Sequence, residues 1–229
     1  MKRGVFVTGT DTGVGKTLAC CALIHALAAH GVHAVPMKPV AAGAVERGGR
    51  WINEDTALLL EAAGRDLTDA AGCTPVLLRE PMAPSIAAAR EGVEISLPQL
   101  VAAFNARAGG GDFVVVEGVG GFRVPLSDGA DSVQLARLIG LPVVLVVGLR
   151  LGCLNHALLT AQAIDDARLP FAGWIANFID PDMMAAEENV AVLAARLSAP
   201  LLGRLPYTAG ADARALAAHL DIDELLIRA

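Results

Sequence analysis

A glycine-rich turn near the start of the chain constrains the fold more than any other feature. The segment TGTDTGVGKT, residues 8–17, follows a short apolar run and precedes an alanine- and leucine-rich stretch that predicts a helix. Glycines let the backbone curl so that successive N–H groups point inward, and the first turn of a helix adds unpaired N–H groups and a positive dipole end. A strand, a glycine-rich loop and a helix in this order predict a phosphate-binding loop.

This loop departs at one position from the usual pattern G-x-x-x-x-G-K-[ST]. Thr10 occupies the place of the first glycine, and Gly9 lies one residue earlier. An ordinary glycine-rich turn is the alternative, but the strand before the loop and the helix after it favour phosphate binding. In a phosphate-binding loop Lys16 reaches the β- and γ-phosphates of a nucleotide, and the Thr17 hydroxyl ligates Mg²⁺.

The composition suits one large α/β domain spanning residues 1–229. The chain is 54% hydrophobic and 18% charged, so it can bury a sizeable core. The longest apolar runs, residues 18–29 and 141–149, are too short to cross a bilayer, and no signal sequence is evident, so we expect a cytoplasmic protein. A net charge of −6 without a basic run argues against nucleic-acid and membrane partners. Packing, rather than zinc binding or disulfide formation, is expected for Cys20, Cys21, Cys73 and Cys153.

Apolar strands and helices alternate along the chain. Near-continuous valine-rich runs separated by helices predict a three-layer α/β domain of the P-loop NTPase type, with a mostly parallel sheet flanked by helices. Asn53 and Ser96 are expected as helix N-caps. The predicted strands are 4–8, 33–38, 112–117, 142–147, 172–177 and 201–205, and the predicted helices are 16–29, 55–63, 97–107, 155–167, 185–197 and 212–227.

Polar residues follow several of these strands, at the sheet edge where ligands of such folds bind. Glu117 ends an apolar strand beside the phosphate loop, which favours Mg²⁺ as its partner, although a solvated glutamate is the alternative. Lys38 is either a surface residue at the sheet edge or a fixed cation over a transferring phosphoryl group. Asp55 opens a helix, where the dipole favours its charge, and Asn177 ends a later strand.

Six segments in this order resemble dethiobiotin synthetase: residues 8–17, 38–40, 116–121, 151–156, 173–177 and 200–206. The resemblance implies an ATP- and Mg²⁺-dependent homodimeric ligase of biotin synthesis, acting on 7,8-diaminononanoate (7,8-diaminopelargonate) and CO2. One amine forms a carbamate with CO2, the carbamate takes the γ-phosphoryl group of ATP, and the second amine closes a cyclic urea with loss of phosphate. The absence of a Ser–His–Asp set is consistent with this reaction.

The resemblance also implies roles for individual residues. Implied ATP-binding residues are Gly13, Val14, Gly15, Lys16, Thr17, Leu18, Asp55, Glu117, Gly118, Val119, Gly120, Asn177, Pro206 and Tyr207. Implied metal ligands are Thr17, Asp55 and Glu117, and implied catalytic residues are Lys38 and Lys16. Implied substrate contacts are Thr12, Lys38, Ala42, Gly152, Cys153 and Asn155, and residues 151–155 are implied to meet the carboxylate end of the substrate at a subunit interface. Ala42 replaces a hydroxyl residue common in the family, which removes a hydrogen bond worth roughly 0.5–1.5 kcal/mol.

The main alternative is a switch ATPase of the partitioning or positioning type. Such proteins share the deviant loop but usually carry a lysine near its start, and none lies between Gly9 and Lys16 here. A cobyric-acid-type amidotransferase needs an additional glutaminase domain, for which 229 residues leave no room. A nucleotide-binding module without activity is the third alternative. A requirement for the diamine in phosphate release distinguishes the ligase from all three.

Overall fold

Strands and helices alternate through most of the chain in the computed structural model, which describes residues 3–210 and 212–229. The strands are β1 (Gly4–Gly9), β2 (Ala34–Met37), β3 (Val40–Ala42), β4 (Ala44–Arg47), β5 (Arg50–Asn53), β6 (Val76–Leu78), β7 (Phe113–Glu117), β8 (Pro125–Ser127), β9 (Ala130–Asp131), β10 (Val143–Leu149), β11 (Phe171–Phe178) and β12 (Leu201–Leu205). The α-helices are α1 (Lys16–Ala29), α2 (Glu54–Ala62), α3 (Ala70–Cys73), α4 (Pro84–Glu91), α5 (Leu97–Arg107), α6 (Ser132–Ile139), α7 (Cys153–Asp166), α8 (Ala186–Arg196), α9 (Ala213–Leu216) and α10 (Ile222–Arg228). Short 3₁₀ turns cover Leu67–Asp69, Ala108–Gly110 and Ala217–His219.

Six strands form the central sheet in the order β12-β11-β10-β1-β7-β2, and every neighbouring pair is parallel. Strand β1 lies in the interior of this sheet, between β10 and β7. Because all six strands run the same way, their carboxyl ends meet at one edge, as the valine-rich runs predict. Three two-stranded pieces, β3–β6, β4–β5 and β8–β9, lie outside this sheet.

The hydrophobic core has two parts, one on each face of the sheet. Successive side chains of a strand point to opposite faces, so Phe6 packs in one cluster with residues of α5 to α8, while Val5 and Val7 pack in the other with α1. Residues of α9 and α10 complete the second cluster. The expected three-layer α/β fold with helices on both faces is thereby confirmed.

Most predicted elements agree with the structure to within a few residues, and α1, α5 and β12 have the predicted bounds. Asn53 caps α2, since its side chain accepts a hydrogen bond from the backbone of Thr56. Ser96 occupies the predicted N-cap position of α5, although its side chain makes no capping hydrogen bond.

The final helical stretch predicted over residues 212–227 is divided in the structure into α9, a 3₁₀ turn and α10. Leu220 pairs with Gly203 in an antiparallel bridge, and the Asp221 N–H donates to the carbonyl of Leu202 at 2.7 Å. These backbone bonds to β12 interrupt the helix. The Asp221 carboxylate then accepts from Glu224 N at 2.9 Å and starts α10 as a new helix.

Candidate functional site

The loop between β1 and α1 is held in its curl by two glycines and by one amide side chain. Gly13 (φ 74°) and Gly15 (φ 83°) both adopt left-handed backbone angles. A Cβ on Gly15 would lie 2.1 Å from Asn177 Nδ2, whereas a Cβ on Gly13 would meet no atom within 4 Å. The same Asn177 amide, from β11, donates to the carbonyl of Val14 at 2.9 Å. Only glycine therefore fits position 15, and β11 fixes the position of the loop.

Val14 anchors the loop in the core, and this packing explains the position of the early glycine. The Val14 side chain is buried. A Cβ on Gly9 would lie 2.6 Å from Val14 Cγ2, and a Cβ on Gly148 would lie 2.9 Å from Val14 Cγ1. Gly9 and Gly148 thus form a slot between β1 and β10 for this valine. Gly9 therefore serves the packing of Val14.

A buried cluster of charges lies beside the loop, where strands β2 and β7 end. Lys38 Nζ donates to Glu117 Oε1 at 2.6 Å and to Asp55 Oδ2 at 2.5 Å. The Thr17 hydroxyl donates to the same Glu117 oxygen at 2.9 Å. Glu117 is fully buried, and its Oε2 atom has no hydrogen-bond partner among the described residues. Lys38 and Glu117 are therefore buried, paired residues. The structure excludes the alternatives of a surface lysine and a solvated glutamate.

The two lysines of the site experience opposite electrostatic environments. Burial lowers the pKa of Lys38, but the charges and hydrogen bonds of Glu117 and Asp55 raise it by more, so its net shift is upward. Burial lowers the pKa of Lys16 with less compensation, so its net shift is downward. Burial raises the pKa of Asp55, while the charge and hydrogen bond of Lys38 and a hydrogen bond from Thr17 lower it by more. The two carboxylates therefore favour the charged form of Lys38.

Lys16 contacts the loop itself. Its Nζ donates to the carbonyl of Asp11 at 2.9 Å. The Asp11 carboxylate accepts from the backbone of Thr12 at 2.7 Å and from Arg150 Nη2 at 2.5 Å. Arg150 follows β10 directly, so its ion pair connects the loop to the sequence that begins α7. Arg150 is not among the predicted site residues, although a charged residue directly after a buried strand is a signal for such a position.

A cleft of about 960 Å³ opens above the loop and the charge cluster. Its remaining walls are formed by residues 81–84 and by residues 119–124 apart from Phe122. Residues 81–84 were missed because they reach the cleft through the β3–β6 pairing, which the sequence pattern does not reveal. Predicted site residues that line the cleft are Thr12, Gly13, Gly15, Lys16, Thr17, Lys38, Ala42, Asp55, Glu117, Val119 and Gly120.

The other predicted site residues are not among those that line this cleft. Val14 and Asn177 support the loop as described, Leu18 is a half-buried residue of α1, and Gly118 packs closely on the ring of Phe6. Pro206 and Tyr207 line a second cavity of about 420 Å³ beyond the end of β12.

Gly152, Cys153 and Asn155 are at the start of α7 and are not among the residues that line the cleft. Gly152 has a left-handed backbone (φ 97°), and the Cys153 thiol is buried at 3.9 Å from Asn189 Oδ1. Asn155 is exposed, and Leu151 is 96% exposed. The structure of one chain therefore does not bring this segment to the cleft.

All four cysteines are buried and free, as packing residues are expected to be. Burial raises the pKa of Cys21 to about 12, so its thiol is not a reactive nucleophile.

The donor set of the charge cluster fits Mg²⁺. No group of three or more His, Cys, Asp or Glu suited to a metal occurs in the described part of the chain. Mg²⁺, however, commonly uses one or two carboxylates together with water and substrate phosphates. Asp55, Glu117 and Thr17 supply two carboxylates and a hydroxyl, and the unpartnered Oε2 of Glu117 leaves one buried acceptor available.

None of the helices within residues 3–210 and 212–229 has the length and apolar character needed to cross a membrane.

A parallel sheet whose interior strand leads into a glycine-rich loop and a helix defines a P-loop nucleotide-binding protein. The sequence profile of a family described as an AAA domain matches residues 3–215. Two solved structures share the fold. The septum site-determining protein MinD complexed with Mg-ADP from Pyrococcus horikoshii OT3 has a TM-score of 0.59 at 18% identity, covering 98% of this chain and 89% of that one. A ParA family ATPase from Chlorobium tepidum TLS has a TM-score of 0.55 at 14% identity, covering 100% and 95%.

Two curated relatives are much more similar in sequence. The ATP-dependent dethiobiotin synthetase BioD of Aromatoleum aromaticum is 53% identical over 218 residues, which are 95% of this chain and 96% of the relative. The protein of the same name from Nitrosospira multiformis is 52% identical over 222 residues, covering 97% and 96%. The chain belongs to the family of ATP-dependent dethiobiotin synthetases and is a ligase.

Proposed function

We propose that this protein joins 7,8-diaminononanoate and CO2 into the cyclic urea dethiobiotin, with hydrolysis of ATP to ADP and phosphate. One observation carries the proposal: the phosphate loop, two buried lysines and two carboxylates all face one cleft. These are the groups that a phosphoryl transfer between two bound substrates requires. The identity of about half of all residues with named dethiobiotin synthetases supports this choice of substrates.

In this proposal the loop and the start of α1 bind the nucleotide phosphates. The first turn of α1 offers its N–H groups, and Lys16 exchanges the neutral Asp11 carbonyl for a phosphate oxygen. This exchange is favourable because burial disfavours the Lys16 charge until an anion arrives. Asn177 keeps the loop in place, and the cavity at Pro206 and Tyr207 accepts the base.

Thr17, Asp55 and Glu117 would hold Mg²⁺, which neutralises charge on the β- and γ-phosphates when it is bound. Lys38 is the second fixed cation. Its two carboxylate partners keep it protonated and in a single position, so it can stabilise the charge of the phosphoryl group during transfer. Thr12 and Ala42 border the place where the diamine would lie.

The chemical steps need no covalent enzyme intermediate. A neutral amine of the diamine adds to CO2 and loses a proton, giving a carbamate. A carbamate oxygen attacks the γ-phosphorus and displaces ADP, forming a carbamic-phosphoric anhydride. The second amine attacks the anhydride carbonyl, loses a proton and expels phosphate. The protein contributes by alignment, which can lower such a barrier by roughly 7–11 kcal/mol, and by charge stabilisation.

We further propose that the single ligase domain acts as a cytoplasmic homodimer. Leu151 (96% exposed) and Leu159 (63%) are large apolar side chains exposed at the start and on the surface of α7. A second copy that covers them would place residues 151–155 against the substrate of its neighbour. This arrangement reconciles the predicted substrate contacts of Gly152, Cys153 and Asn155 with their position outside the cleft of their own chain.

The test is product formation by purified protein with each ingredient omitted in turn. We expect dethiobiotin by mass spectrometry and an equal amount of phosphate only when diamine, CO2 and MgATP are all present. Lys16→Gln should abolish both, because it removes the cation that contacts the β- and γ-phosphates. Phosphate release that does not depend on the diamine would instead indicate a switch ATPase.

A further inference from the structure

Arg123 lies at the cleft on a segment that is fixed on both sides. The buried Ser132 hydroxyl accepts from the backbone of Val124 at 2.9 Å and donates to the carbonyl of Phe122 at 2.6 Å. The Ser132 N–H also donates to the Val124 carbonyl at 2.9 Å, and the Phe122 ring is buried. The neighbours of Arg123 are therefore immobilised, while its own side chain is 74% exposed and borders the cleft.

The guanidinium of Arg123 is weakly engaged within the chain. Its only ion-pair partner among the described residues is Asp131, at 3.7 Å from Nε to Oδ2, which is beyond ordinary hydrogen-bond length. The other oxygen of Asp131 is committed to capping α6, where it accepts from Gln134 N at 2.9 Å. An exposed pair of this kind contributes little, so the donors of Arg123 remain available to a ligand.

The remaining cations that line the cleft in the described residues are engaged elsewhere. Lys38 lies between two carboxylates, and Lys16 contacts the phosphate loop. At the floor of the cleft Asp55 and Glu117 are both paired with Lys38, so their charges do not orient the substrate. In the proposed reaction the amines must lie at this floor next to the phosphate loop, and the carboxylate at the other end of the substrate therefore extends away from it.

We propose that Arg123 binds the carboxylate of the diamine substrate and so sets the specificity for an acid; this inference rests on the proposed function. A planar guanidinium matches a carboxylate with two parallel hydrogen bonds. The nucleotide phosphates are a second source of anionic oxygens, but the loop amides, the start of α1 and Lys16 already serve them. Arg123 acts in addition to the contact that the resemblance assigns to residues 151–155.

The experiment compares Arg123→Gln with the unchanged protein on two substrates, 7,8-diaminononanoate and its methyl ester. For the acid, the variant should raise KM about tenfold, the effect of losing a charge-assisted hydrogen bond, with kcat nearly unchanged. For the ester, both proteins should have the same KM, because the ester carries no charge for Arg123 to bind. An equal rise for acid and ester overturns the proposal, and a rise in the KM for ATP assigns Arg123 to the phosphoryl group instead.

Two matched variants complete the test. Arg137→Gln removes the same charge from an exposed position of α6 away from the cleft, and it should leave both KM values unchanged. If Arg137→Gln reproduces the effect, long-range electrostatics account for it and the proposal fails. Arg123→Lys keeps the charge without the two parallel donors and should give an intermediate KM for the acid. Absence of cyclic urea with either substrate in the unchanged protein would refute the proposed function itself, which is a separate outcome.

Discussion

Replacing Lys38 or Lys16 by methionine should lower the free energy of unfolding by very different amounts. Lys38→Met leaves Glu117 fully buried, with the Thr17 hydroxyl as the remaining partner of Oε1 and none for Oε2 among the described residues. Removing one partner of a buried ion pair typically costs about 3–5 kcal/mol, because the other charge is left uncompensated. For a chain of 229 residues this corresponds to a fall in Tm of roughly 6–20 °C.

Lys16→Met is the matched control, since it removes the same charge from a second buried site. The Lys16 ammonium contacts a neutral carbonyl and burial disfavours its charge, so its removal leaves no buried ion unpaired. We expect a loss of stability less than half that of Lys38→Met. The assay is thermal and urea unfolding of the protein without nucleotide. Adding Glu117→Gln to Lys38→Met should recover part of the loss, because the double variant has no uncompensated carboxylate at position 117.

Equal destabilisation by the two lysine variants would refute this electrostatic reasoning, and so would an unchanged Tm for Lys38→Met. Both variants should nevertheless lose turnover, because both cations serve the phosphoryl group in the proposed reaction. The pair therefore separates a role in stability from a role in catalysis.

Two further predictions concern the loop and the acid range. Gly15→Ala should abolish nucleotide binding in a calorimetric titration, because its Cβ would lie 2.1 Å from Asn177 Nδ2. Gly13→Ala has open space around its Cβ and only the strain of a left-handed backbone (φ 74°), so it should weaken binding less; an equal loss in both variants would contradict the steric argument. The folded-state pKa of Asp55 is below its ordinary value of 3.8, so its stabilisation is present above pH 3.8 and is lost as the pH falls further. The difference in Tm between the unchanged protein and Asp55→Asn should thus narrow below about pH 4. A difference that stays constant into that range would contradict the stabilisation of the Asp55 carboxylate by Lys38.

The sequence predicts those parts of the site that depend on local pattern. The glycine-rich loop predicts Lys16 and Thr17, and the polar ends of the valine-rich strands predict Lys38 and Glu117. These residues meet because parallel strands bring their carboxyl ends to one edge of the sheet. Asp55 also reaches this edge, since Asn53 starts α2 there and the side chain of Lys38 extends to it.

Other parts depend on contacts between distant segments and could not be predicted. The wall at residues 81–84 requires the β3–β6 pairing, whose strands are too short for a clear periodicity. The position of Arg123 depends on the Ser132 hydroxyl, which hydrogen-bonds to the backbone of the residues before and after Arg123. Helix α6, by contrast, was predictable, because Asp131 and Gln134 form a capping box that is visible in the sequence.

The fate of one oxygen atom distinguishes phosphoryl transfer to a carboxylated diamine from hydrolysis of ATP by water. The reaction is run with ¹⁸O-labelled CO2 for a time that is short compared with exchange of the label into water. If a carbamate oxygen attacks the γ-phosphorus, each phosphate released with dethiobiotin carries one ¹⁸O atom. Unlabelled phosphate formed together with dethiobiotin would contradict the anhydride, because its new oxygen would then come from water.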